Sequence, residues 1–319
     1  MRTTHLLAAS VLLATPLTAY AGSGTATAAP SCFERPATIT GSGTIDGTPG
    51  DDVIVGSAAA DTIDGGGGND RICALGDADT IQGGLGNDRV HGGAGDDVLR
   101  GDVEADGPAE GGGNDRIFGG AGRDDIVGDS SALGDSAVAV GGGNDTINGG
   151  PDIDVVVGDS QGDNATGAGD DTINTGPGSL ADGTTFFEAV VGDSFGSTVV
   201  ADGGDDWISL GVDGGLLVVG DNLTGLGPEP AGDGNDVVIG GGVDELLFGD
   251  NADGTQSAWI PAGGAGNDLL RGRGGDDDLG GQGGNDRLDG GANGVDGDGC
   301  DGGDGTDTAT ACEETIGVP

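Results

Sequence analysis

An acidic residue returns every nine positions early in the chain: Asp52, Asp61, Asp70, Asp79, Asp88 and Asp97 keep the interval without a slip. Two residues behind each stands one aliphatic side chain, Ile54, Ile63, Ile72, Ile81, Val90 and Leu99, and ahead of most of them runs a glycine-rich turn. A fixed interval of this length marks a repeat architecture, in which a unit buries its apolar side only against its neighbours. One inward aliphatic residue per nine fits a very short strand between two turns. Farther on the spacing loosens but the units continue, at Asp115, Asp124, Asp145, Asp154, Asp171, Glu188, Asp206, Asp236, Glu245, Asp268, Asp277, Asp286 and Asp307. Leu216 stands where one carboxylate is due.

Composition supports this reading. With 76 glycines among 319 residues and 3% aromatics, the chain lacks the apolar volume of a two-layer domain. Its 56 acidic residues face 10 arginines and no lysine, a net charge of −46 that excludes nucleic acid as a partner and favours a cation. High charge and low hydrophobicity also suit a disordered chain, but random low-complexity sequence does not hold a register. Calcium takes six to eight hard oxygen ligands. A turn of glycines, free to adopt positive φ, can aim carbonyls and one carboxylate at such an ion. One buried aliphatic side chain returns too little to offset the ordering of nine residues, so the metal is expected to decide folding and the metal-free chain to be largely unfolded.

Units such as GGLGNDRVH at 83–91 and GGAGDDVLR at 92–100 resemble the RTX, or hemolysin-type, calcium-binding nonapeptide, in which glycines precede an Asp and an aliphatic residue follows it. The resemblance spans residues 47–310. It implies an all-β fold, a right-handed parallel β-roll or β-helix solenoid of about ten coils, with two nonapeptides per coil and several calcium ions between the turns of successive coils. The candidate metal ligands are Asp52, Asp61, Asp70, Asp79, Asp88, Asp97, Asp115, Asp124, Asp145, Asp154, Asp171, Asp206, Asp236, Asp268, Asp277, Asp286 and Asp307.

Because turns alternate between two edges, same-edge acids lie one coil apart. Edge one carries Asp52, Asp70, Asp88, Asp115, Asp145, Asp171, Asp206, Asp236, Asp268 and Asp286. Edge two carries Asp61, Asp79, Asp97, Asp124, Asp154, Glu188, Glu245 and Asp277, and calcium is expected to be weak or missing around Leu216. Asparagine precedes the edge-one acid at 69, 87, 114, 144, 235, 267 and 285. That file could face an ordered surface, but tolerance of left-handed turn geometry is the simpler reason. A second series ends strands in Gly-Asp, at Asp102, Asp129, Asp159, Asp193, Asp221 and Asp250. Extra residues follow each, so the loop insertions emerge mainly on one edge as a stacked ridge.

Several motifs carry less than they suggest. Gly-Asp-Ser also opens a hydrolase block, but beyond the leader His91 is the only histidine available as a base for Ser130, Ser160 or Ser194. Arg100-Gly101-Asp102 spells an adhesion tripeptide yet belongs to the Gly-Asp series, and DVEADG at 102–107 opens like an EF-hand loop whose twelfth place, Gly113, lacks the closing glutamate. Four cysteines allow three pairings; Cys32 with Cys73 and Cys300 with Cys312 is the economical choice, each bracketing one end of the roll. The cysteines lack the Cys-x-x-Cys spacing of a zinc site.

Residues 1–28, with Arg2 and an apolar run, read as a signal peptide cleaved after Ala21 or Ala28, followed by an N-terminal cap at 29–46, the roll at 47–310 and a C-terminal tail at 311–319. No later apolar run is long enough for a transmembrane segment. The chain is therefore expected to be secreted and non-enzymatic, with calcium as its ligand and a cell-surface glycan or protein as partner in a structural, adhesive or scaffold role. An extracellular calcium buffer and a β-helical hydrolase or polysaccharide-modifying enzyme are the alternatives.

Overall fold

The computed structural model describes residues 29–105, 108–132, 138–152, 154–162, 164–177, 189–196, 198–199, 203–211, 217–224, 234–253, 266–294 and 297–318. Among these residues the chain is all β, and none forms a helix long and apolar enough to cross a membrane. The x-U-x segments form short strands with a buried central side chain; in Arg71–Cys73 and Thr80–Gln82 the flanks are only half-buried, whereas in others, such as Asp125–Val127, the following residue is buried too. Successive segments join opposite sheets. Twelve strands from Thr44–Thr48 to Glu314–Ile316 make one parallel sheet, and twelve from Ile39–Thr40 to Thr308–Thr310 make the other, both stacked in chain order. The nonapeptide register is the pairing register: Ile63 pairs with Ile81, Ile81 with Leu99 and Leu99 with Ile126.

Between the sheets lies one column of apolar side chains that includes Ile54, Ile72, Ile117 and Leu270, all fully buried. Each is worth about 1.5–3 kcal/mol of burial. This is the β-roll expected of the repeats. The stack runs past the expected ten or so coils because strands also form in the flanks, at Ile39–Thr40 and Thr44–Thr48 before Asp52 and at Glu314–Ile316 after Asp307.

The one-edge insertions are ordered as strands of their own. Ala109–Glu110, Val138–Val140, Asn164–Thr166 and Thr198–Val199 form a four-stranded parallel sheet. Beside it Glu104–Ala105 pairs with Ser131–Ala132, and Phe195–Gly196 pairs with Leu223–Thr224 and then Ala252–Asp253, the two groups bridged through Gln161. This side lobe covers the outward face of the Gly-Asp strands. Val127, Val157, Val191 and Val219, one residue past the inward-facing position, are buried with Leu223 and Ala252 in a second apolar cluster. The apolar residue after the inward position is thereby explained: in Val155–Val157, Val156 faces the roll core and Val157 the side lobe, while Val155 is exposed.

Both ends are closed covalently. At the N-terminus Ser31–Cys32 and Arg35–Pro36 form an antiparallel hairpin, and Cys32 is bonded to Cys73 across 41 residues. Phe33 at the hairpin tip packs on His91 and Phe118, with the Arg89 guanidinium 4.4 Å from its ring centre. At the C-terminus Cys300 is bonded to Cys312.

Candidate metal centres

The acid at the sixth position of each turn forms a ladder along its edge. On edge one the N–H of Asp52 donates to Asp70 Oδ1 at 2.7 Å, Asp70 to Asp88 at 2.7 Å, and Asp88 to Asp115 at 2.7 Å. The file continues through Asp145, Asp171, Asp206, Asp236, Asp268 and Asp286 to Asp307. On edge two Asp61 leads through Asp79, Asp97 and Asp124 to Asp154, and Glu245 leads to Asp277. Sequence reasoning stopped there, but the file runs on to Asp298 and ends on Glu313, whose carboxylate accepts the Asp298 N–H at 2.8 Å. Asp298 escaped notice because Cys300, not an aliphatic residue, takes the inward place two residues on. Glu188 and Leu216 lie outside the described residues.

In most of these carboxylates one oxygen is used by the ladder and the other is not. Oδ2 is buried and accepts no protein hydrogen bond in Asp70, Asp88, Asp115, Asp145, Asp171, Asp206, Asp236, Asp268, Asp286 and Asp307 on edge one, or in Asp79, Asp97, Asp124, Asp277 and Asp298 on edge two. A buried carboxylate oxygen left unpartnered is costly, and two files of them call for a cation. In these turns the second-position N–H points away from the acid of its own turn, whether the residue is glycine, as in most regular turns, or aspartate, as in the expanded ones, where the Asp102 N–H donates to Asp129 O at 3.1 Å. Gly84, at φ +99°, donates its N–H to Gly101 O at 3.1 Å in the next coil rather than to Asp88 in its own turn. Glycine at the first position leaves room for the carboxylate: a Cβ on Gly83 would lie 2.6 Å from Asp88 Oδ2.

Asp52 and Asp61 differ. Their turns carry Thr48 and Ser57 at the second position, whose N–H groups donate to Asp52 Oδ2 at 2.8 Å and Asp61 Oδ2 at 2.6 Å. Both oxygens of these two acids hold protein hydrogen bonds, with Thr38 Oγ1 on Asp52 Oδ1 and Gly43 N on Asp61 Oδ1. They begin the ladders as N-terminal caps.

Position five carries a second ladder of opposite direction. The N–H of Asn87 donates to Asn69 Oδ1 at 3.1 Å, Asn114 to Asn87 at 2.7 Å, and Asn267 to Asn235 at 3.0 Å. None of the described asparagines at this position has positive φ. Left-handed turn geometry therefore does not explain the Asn file; a side-chain acceptor for the next coil's backbone does.

Electrostatics follow from burial. Desolvation, partly offset by the ladder hydrogen bond, pushes Asp88 up to about 7, Asp124 and Asp286 to about 7, and Asp115 to about 9. Without a counterion the folded chain would hold a proton on Asp115 at neutral pH and would protonate Asp88, Asp124 and Asp286 in part.

The Gly-Asp series is buried as deeply. Asp102, Asp129, Asp159, Asp193, Asp221 and Asp250 are 0% exposed, as are Ser130, Ser160 and Ser194. Each acid occupies the second position of an expanded edge-one turn, where the regular turn has glycine. Ser160 Oγ donates to Gly141 O at 3.1 Å, and the His91 ring lies against Phe33 and Phe118, so the residues of the weighed hydrolase motif are not brought together. The Arg100-Gly101-Asp102 tripeptide is equally enclosed, with Arg100 held by Glu104 at 3.2 Å and Asp125 at 3.0 Å.

The sequence model of the RTX calcium-binding nonapeptide repeat matches residues 39–72, 46–80, 74–107, 111–132, 134–164, 165–179 and 262–293, together more than half of the chain. The chain belongs to the RTX calcium-binding repeat family. No curated protein matches it. The RTX repeats are calcium-binding units, and the orphaned Oδ2 files are the donor chemistry such an ion requires: hard, anionic oxygen in excess of what the protein satisfies. Between residues 180 and 261, which the family model leaves unmatched, the RTX roll nonetheless continues through Trp207–Leu210, Leu217–Val219, Val237–Ile239 and Leu246–Phe248 in unbroken pairing order.

Proposed function

We propose that this RTX chain is a secreted protein whose roll is ordered by several calcium ions held in the two files of turn carboxylates, and that its role outside the cell is structural, adhesive or scaffolding, toward a cell-surface glycan or protein. The observation that carries the reading is the row of buried, unpartnered Oδ2 atoms on each edge. Asp70, Asp88, Asp115 and their successors on edge one, with Asp79, Asp97 and Asp124 on edge two, would hold the ions, which supply the positive charge that lets these acids stay ionised inside the stack. The leader-like residues 1–28, outside the described structure, and two disulfides support export to an oxidising compartment. A non-catalytic role is supported by the enclosure of Ser130, Ser160 and Ser194.

The test is folding against free calcium. Circular dichroism and small-angle scattering of the protein secreted on expression should show a coil-like, expanded chain in chelator and a compact β chain on adding calcium. A compact β chain that persists in chelator would overturn the reading.

A further inference from the structure

The regular nonapeptide turn offers one carboxylate per coil on each edge. The six expanded turns on edge one offer two, one at position six and one at position two, and nothing in the nonapeptide repeat calls for the second. At the first of them Asp102, Asp115 and Asp129 come together: each presents a carboxylate oxygen within 4.8 Å of the others, and all three residues are buried. Both oxygens of Asp102 are without a hydrogen-bond partner, as are Oδ2 of Asp115 and Oδ2 of Asp129. The oxygens that are satisfied accept from backbone, Asp88 N on Asp115 Oδ1 at 2.7 Å and Gly113 N on Asp129 Oδ1 at 3.2 Å, which fixes the remaining oxygens in place. Glycine lines the pocket because nothing larger fits: a Cβ on Gly111 would lie 2.6 Å from Asp102 Cβ.

We infer that Asp102, Asp115 and Asp129 hold a divalent cation at the seam between the roll and its side lobe, a site additional to those of the nonapeptide turns. Three buried carboxylates that bring oxygens within 4.8 Å of one another repel when ionised, and a cation between them would remove that repulsion. The donor set is all carboxylate, the preference of calcium or another hard divalent ion. Asp102 and Asp129 belong to expanded turns of adjacent coils, so the ion ties one insertion to the next and both to the position-six file. The insertions would then be ordered by metal as the roll is. This goes beyond the nonapeptide reading and can fail while that reading stands.

Native mass spectrometry of the calcium-saturated protein counts the ions per chain. Asp102→Asn, which preserves shape and removes charge, should bind one calcium fewer than the unsubstituted protein, whereas Asp46→Asn, at an exposed acid on the roll, should bind the same number. An unchanged count in Asp102→Asn overturns the inference, a weaker affinity at the same count included, since the acid would then serve a nonapeptide ion. Should the variant fail to fold, diffraction from calcium-loaded crystals of the unsubstituted protein decides: an ion between the three carboxylates supports the site. Ions in the nonapeptide turns with none at this seam overturn it alone, and no ions anywhere overturn the proposed function with it.

Discussion

At the scale of the residue, a position-six aspartate has two separable duties. Oδ1 of Asp88 accepts the Asp70 N–H at 2.7 Å, and Oδ2 faces no protein donor. Asp88→Asn keeps the acceptor and removes the charge; Asp88→Ala removes both. The Asn variant should still reach the folded spectrum at saturating calcium, with its midpoint raised roughly tenfold, the equivalent of about 1.4 kcal/mol. The Ala variant should be worse, because it also strands a buried N–H at a cost of about 1–3 kcal/mol. Calcium titrations followed by circular dichroism read both, and equal midpoints for Asn and Ala would show that only the charge matters. The difference between Asp88 and Asp52 was legible in the sequence, in Thr48 replacing the second glycine of the turn, but only once that glycine's N–H was known to point to the next coil.

At the scale of the element, the strands themselves were readable because one buried residue in a three-residue strand leaves a fixed trace two places after each acid. The insertions were not. Their inward residues are alanines, Ala109, Ala132 and Ala139, too small to stand out from a glycine-rich background, and their pairing is with copies about 30 residues away in register rather than within the loop. The N-terminal hairpin is the element most dependent on a covalent tie, since its own antiparallel pairing spans only Ser31–Cys32 and Arg35–Pro36. Replacing Cys32 and Cys73 by Ser should cost about 2–5 kcal/mol of cap stability. Because contacts in a roll are between nearest coils, the loss should remain local. Hydrogen exchange in calcium should show lost protection at Ser31–Pro36 and Ile39–Thr40, with Leu270 and Leu288 unaffected; uniform loss along the stack would mean the roll unfolds as one unit.

At the scale of the molecule, the acids that require calcium also make the metal-free fold sensitive to pH. Burial raises Asp88, Asp124 and Asp286 to about 7 and Asp115 to about 9, against 3.8 for an exposed aspartate. The folded chain therefore binds protons that the unfolded chain releases. Stability from these groups is fully present below about pH 4 and is lost as pH rises through roughly 6 to 9. In chelator, acidification from pH 8 toward pH 4 should raise the β signal, while in calcium the same acidification should weaken ion binding as protons compete for the carboxylates. A chelated chain equally unfolded at both pH values would show that neutralising the acids does not suffice.

The two side-chain ladders run in opposite senses: a position-six N–H reaches forward to the following coil, and a position-five N–H reaches back to the preceding one. The stack therefore has unlike ends, as a filament does. Part it between the coils of Asp88 and Asp115, and the N-terminal piece keeps a position-six donor whose acceptor has left, while the C-terminal piece keeps a position-five donor, Asn114 N–H, in the same state. The position-six N–H of a coil is satisfied only by its successor and the position-five N–H only by its predecessor, so each exposed end of the stack would accept a further coil by a different rung of the ladder.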